Sequence, residues 1–64
     1  SLMKSISRRK QPTLGDVIVH TEAGYNRVSE GKVIQLLSMQ FLYEETDGAI
    51  RHCLFEEDWN FKHG

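Results

Sequence analysis

The sequence predicts an all-β domain: a small five-stranded barrel or strongly bent antiparallel sheet, with a one-turn helix before the last strand. Three observations carry this expectation. Val17-Ile18-Val19 is a β-branched run continuing into His20 and Thr21, with the length and composition of a strand. Met39, Phe41 and Tyr43 alternate with Gln40, Leu42 and Glu44, the period of a pleated strand. Asp47-Gly48 separates two strand-forming runs and is the strongest local turn signal in the chain.

Sixty-four residues suffice for one domain. A domain of that size buries only about 60% of the surface of its unfolded chain, so its core is thin. Self-association or a partner would supply what the core lacks, and a homodimer fits that logic. No apolar run approaches the roughly 18 residues of a bilayer span, and no signal-peptide core is visible. The expected location is cytoplasmic, away from any membrane. The single cysteine excludes an intramolecular disulfide.

Net charge is −1, but it is unevenly spread. Lys4, Arg8, Arg9 and Lys10 fall in the first ten positions, where there is no acid. From position 11 onward, 4 basic residues face 9 acidic ones, a net charge of −5. The composition predicts a flexible basic tail over residues 1–12 and a single acidic β-domain over residues 13–64. Such a tail suits phosphate contacts, with affinity falling as salt rises. Its simpler role is a solvated terminus, and the acidic domain argues against a broad nucleic-acid surface.

Pro12 disfavours helix at Gln11, and Gly15-Asp16 forms a turn into the first strand. His20, at the end of that strand, is expected at the surface or rim. Residues 22–30 contain Gly24 and Asn26 and show no clean period. They predict a long loop, with a small hairpin as the variant. Tyr25 and Arg27 are its chemically interesting members, suited to stacking on a base or gripping a peptide. The preferred role for Tyr25 is to close one end of a small barrel.

Gly31 opens the second predicted strand, followed by residues 33–37 and a bend at Ser38. A helix over residues 33–43 is the competing assignment, because Val33, Leu36, Leu37, Gln40 and Phe41 also fit helical spacing. Strands are preferred, since β-branched and aromatic residues frame the run. Two hairpin registers fit Asp47-Gly48. A two-residue loop pairs Glu44 with Arg51 and Phe41 with Leu54. A three-residue loop with a glycine bulge pairs Tyr43 with Arg51 and Phe41 with Cys53. The second gathers Met39, Phe41, Tyr43, Cys53 and Phe55 on one face and is preferred, because a one-residue slip exchanges the faces of a whole strand. It also brings Arg51 near the Tyr43 ring, within reach of a cation–π contact.

His52 and Cys53 are neighbours on a strand and point to opposite faces, so His52 does not activate the thiol. Cys53 is expected as a small buried hydrophobe. His20, His52, His63 and Cys53 lack the paired spacing of a zinc motif, so the sequence predicts neither metal nor cofactor. Glu56-Glu57-Asp58-Trp59 predicts one helical turn leading into a last strand. Consecutive exposed acids do not provide two carboxylates in different environments, so no acid–base pair is assigned. Trp59 is expected in the core or at its rim, and it is an interface anchor if exposed.

The GDVIVH segment at residues 15–20, the GKVI segment at residues 31–34, the Asp-Gly hairpin and the one-turn helix together resemble a small SH3-like β-barrel of the KOW-type group. The resemblance spans roughly residues 14–61 and rests on short motifs. It implies service in transcription or translation machinery, in contact with RNA, DNA or polymerase. The acidic domain departs from that pattern.

The expected function is therefore a non-catalytic protein-interaction module, an adaptor or regulator docking on a larger assembly. Tyr25, Arg27, Glu56, Glu57, Asp58 and Trp59 are its candidate contacts. The alternative is a nucleic-acid module acting through Lys4, Arg8, Arg9, Lys10 and Lys32. No catalytic residue is assigned: the chain shows no nucleophile–base pair and no phosphate loop.

Overall fold

The computed structural model describes residues 11–63. Five strands follow in chain order: β1 (Val17–Glu22), β2 (Arg27–Leu36), β3 (Gln40–Glu44), β4 (Ile50–Leu54) and β5 (Trp59–Phe61). They form one antiparallel sheet in the order β4-β3-β2-β1-β5. The sheet is not closed, since β4 and β5 are its two edges. Residues 55–58 alone connect those edges, so the sheet must bend back on itself. The all-β expectation holds. The basic residues of the predicted tail lie outside the described residues, but Pro12, assigned to that tail, is buried.

The β1–β2 connection is shorter than predicted. The long loop is a tight turn over residues 23–26, and β2 begins at Arg27 rather than Gly31. Gly24 and Asn26 adopt positive φ angles of 84° and 51°, and the Tyr25 amide donates to the Glu22 carbonyl at 3.3 Å. Glycine and asparagine tolerate this region best, so the two breakers suffice for a hairpin turn. The period of two was hidden because Ser29 and Gly31, not apolar residues, hold inward positions on β2.

Gly31 is held to glycine by contact. A Cβ there would lie 2.6 Å from the Glu44 carbonyl oxygen and 2.7 Å from the Tyr43 ring. Two residues later the β2–β3 register shifts between Val33 and Gln35, a bulge that bends the long strand.

At the β3–β4 hairpin the three-residue register is the one present, with Tyr43 opposite Arg51 and Phe41 opposite Cys53. Gly48 takes φ 93° and its amide donates to the Glu45 carbonyl at 2.9 Å. The competing helix over residues 33–43 does not form. Met39 departs from the expected core face: it sits in the β2–β3 turn and is 63% exposed. The bond from the Leu37 amide to the Gln40 carbonyl closes that turn ahead of β3.

The helical turn before β5 is also absent, and no helix occurs among the described residues. Residues 55–58 make one turn, with the Glu57 amide donating to the Leu54 carbonyl at 3.0 Å. The Asp58 carbonyl then accepts from the Thr21 amide at 2.8 Å, which draws the chain into the sheet instead of into a second turn.

The core lies on the inner face of the bend. It comprises Ile18, Val33, Phe41, Tyr43, Cys53, Phe55 and Trp59, with Phe61 packed against them. Apart from Phe55 on the 55–58 turn, they occupy inward-facing positions of their strands, as the pleat requires.

Candidate functional site

The inner face is not apolar throughout. Towards the β1–β2 turn its inward positions are His20 and Glu22 on β1, Ser29 on β2, Tyr43 on β3 and Arg51 on β4. Strand pairing sets these together: His20 lies opposite Ser29, Glu22 opposite Arg27, and Tyr43 opposite Arg51. This polar end opens into a cleft of about 510 Å³ between the tip of the β1–β2 hairpin, β4 and the 55–58 turn.

A hydrogen-bonded chain crosses the cleft floor. Glu57 Oε1 lies 2.7 Å from His20 Nε2, and His20 Nδ1 lies 2.9 Å from the Tyr43 hydroxyl. An ionised carboxylate only accepts, so Nε2 carries the proton towards Glu57. In the neutral ring Nδ1 then accepts from the Tyr43 O–H. The two rings meet edge to face, 5.9 Å apart and at 87°.

Burial pushes the Tyr43 hydroxyl above its ordinary pKa of 10, because a phenolate would lose its hydration. The Ser29 hydroxyl donates to Glu22 Oε2 at 2.8 Å and, with a smaller contribution from Arg27, holds the Glu22 carboxyl below its usual value. Arg51 pairs with Glu45 across the neighbouring turn, which raises its already high pKa. Its guanidinium is thus engaged by a carboxylate, where the sequence expected a contact with the Tyr43 ring.

The Glu57–His20–Tyr43 chain has the order of an orienting carboxylate, a base and a hydroxyl. Yet Tyr43 is fully buried. Its hydroxyl is not presented to a substrate, and the chain holds three elements together instead.

His20 corrects the sequence expectation most clearly. It is 4% exposed, not at the surface or rim. Its position two residues after buried Ile18 was the available signal, because both fall on the inward phase of β1. Tyr25 does not close a barrel end: it stands at the hairpin tip, 75% exposed, and lines the cleft with Glu57. Positive φ at its neighbours Gly24 and Asn26 turns the chain there into solvent. Arg27 opens β2 with its Nε 3.8 Å from the Glu22 carboxylate. Glu56 and Asp58 are exposed on the 55–58 turn.

Trp59 does not serve as a surface anchor. It is 2% exposed, its indole N–H donates to the Phe55 carbonyl at 3.0 Å, and its ring meets Phe41 edge to face. Lys4, Arg8, Arg9 and Lys10 lie outside the described residues. Lys32 lines a second cleft, of about 450 Å³, together with Glu30, Glu44 and Glu45. Lys62 and His63 line it too, and Lys62 Nζ lies 2.6 Å from Glu30 Oε2.

The fold also assembles a set of metal-type donors that the sequence spacing did not foreshadow. One ligand atom each from His20, Cys53 and Glu57 lies within 4.8 Å of the other two. The residues come from β1, β4 and the 55–58 turn. His52 points outward, as strand geometry predicted, while Cys53 is buried.

Comparison with protein families, with curated proteins and with solved structures finds no match for this chain.

Proposed function

We propose that the chain is a non-catalytic protein-interaction module that docks on a larger assembly through the cleft at its polar end. The observation that carries this reading is the position of Tyr25. An aromatic side chain stands largely exposed at a hairpin tip, over a cleft also lined by Ile50, His52 and Glu57. A tyrosine offers large contact area and a polar tip at little conformational cost, which is why such residues anchor interfaces. Two further features support it. The net charge of −5 from position 11 onward repels a polyphosphate backbone. The edges β4 and β5 carry no further strand among the described residues, and a partner strand can add there.

The similarity of the GDVIVH and GKVI segments to KOW-type SH3-like barrels is the ground for proposing a process in transcription or translation. A second reading, nucleic-acid association, rests on the four cations of residues 1–10.

Capture from cell lysate, with and without nuclease, tests the choice. The full chain is expected to retain the same proteins after nuclease and to lose them on Tyr25→Ala, with stability within about 0.5 kcal/mol of the parent. Capture that disappears with nuclease and ignores Tyr25→Ala would establish the nucleic-acid reading instead.

A further inference from the structure

The geometry points to a metal site: His20 and Glu57, which line the polar cleft, and Cys53, buried in the core beside it, bind one divalent cation of the zinc class. A thiolate, an imidazole and a carboxylate are the three donor types that zinc takes from proteins. Sulfur and nitrogen together select it over magnesium or calcium.

The distances suit the ion. Tetrahedral bonds of about 2.0–2.3 Å place donor atoms roughly 3.4–3.6 Å apart. Here one donor atom from each residue already lies within 4.8 Å of the other two, and His20 Nε2 is 2.7 Å from Glu57 Oε1. Binding therefore asks Glu57 to withdraw by under about 1 Å from the imidazole, and the Cys53 sulfur to close from within 4.8 Å to the bonded spacing. Its side chain is 38% exposed and sits on a turn, so it has room to do so.

The neighbouring groups suit it as well. A metal-bound imidazole usually holds its second N–H on an acceptor, which fixes the ring. The Tyr43 hydroxyl is already 2.9 Å from Nδ1. On binding, the ring proton moves from Nε2 to Nδ1 and the Nε2 lone pair goes to the metal; Nδ1 then donates to the Tyr43 oxygen, whose own O–H turns to the neighbouring Ser29 oxygen. Cys53 gives up the thiol proton that it donates to the Leu54 carbonyl, and that proton passes to bulk water as the ion enters. Thiolate and carboxylate then neutralise the two positive charges, so no net charge is buried. Three protein ligands leave a fourth position for water on the cleft side, where Glu57 meets solvent.

The location gives the ion a structural role. The site lies where the 55–58 turn carries the chain from one sheet edge to the other. A cation held by β1, β4 and that turn would tie the seam with bonds the strands do not make there. Small domains commonly gain stability in this way.

Cobalt(II) titration of the full chain is the test. Cys53 is the only cysteine, so a thiolate-to-cobalt charge-transfer band reports on it directly. The expected result is a band that saturates at one equivalent, bleaches when zinc is added, and accompanies a rise in melting temperature. Glu57→Ala is expected to weaken binding at least tenfold while the intrinsic fluorescence of Trp59 remains that of the folded chain. The absence of a thiolate band at stoichiometric cobalt with the parent chain folded would overturn the assignment. So would unchanged affinity in Glu57→Ala.

Discussion

The two ends of the inner face are built from the same strands by opposite means. At the apolar end Phe41 is the hub, stacked at 5.8 Å on Phe55 and edge to face at 5.1 Å with Trp59, which in turn meets Phe61 at 5.2 Å. Contact is by area and shape, with the indole N–H donating to the Phe55 carbonyl and the Cys53 thiol to the Leu54 carbonyl. At the polar end the equivalent inward positions are His20, Glu22 and Ser29, and packing there depends on pairing donors with acceptors. Every buried side-chain nitrogen and oxygen among the described residues has a partner. Tyr43 belongs to both ends: its ring lies 6.2 Å from Phe41 and its hydroxyl reaches His20. An inward position on a strand thus specifies burial but not polarity, provided that a neighbouring strand supplies the complement.

The sharpest way to break the apolar end is Phe41→Ala. Phe41 is fully buried and meets three other aromatic rings. The expected loss is about 3–5 kcal/mol, a large share of the roughly 5–15 kcal/mol that holds a domain together. Urea unfolding reads this, and a loss below about 1 kcal/mol would mean that the cluster is not the centre of the core.

Tyr43→Phe leaves the apolar end intact and removes one atom from the polar end. His20 Nδ1 loses its partner, for an expected cost of about 1–2 kcal/mol. The alkaline limb should change too. Burial raises the Tyr43 pKa above 10, so its contribution is complete below pH 10 and is lost as pH rises towards the higher folded value. The phenylalanine variant should lack that part of the alkaline decline. A parent-like cost-free variant with the same alkaline slope would show that the His20–Tyr43 bond does not contribute.

The smallest expected effect is at the outer margin of the polar end. The Glu22 carboxyl is held below its usual 4.5, first by the Ser29 hydroxyl. Its contribution is present above pH 4.5 and fades as pH falls through the lower folded value. Melting temperature against pH should therefore drop less steeply below pH 4.5 in Glu22→Gln than in the parent. Identical acid limbs would remove Glu22 from the network.

Sequence alone determined the strands whose signal is local. The β-branched run of β1, the alternation through Phe41 and Tyr43, and Asp47-Gly48 with its register were all legible, because each depends on neighbours within a few positions. Residues 23–30 were not, since Ser29 and Gly31 occupy inward positions that only Glu22, Tyr43 and Glu44 on other strands explain. Nor were the candidate sites legible. Tyr25 and Glu57 line one cleft, and His20, Cys53 and Glu57 converge, only because the sheet bends until its edges meet at the 55–58 turn. Local propensity sets the period of a strand. Which residues meet across the molecule depends on pairing order and curvature, and no spacing along the chain encodes those.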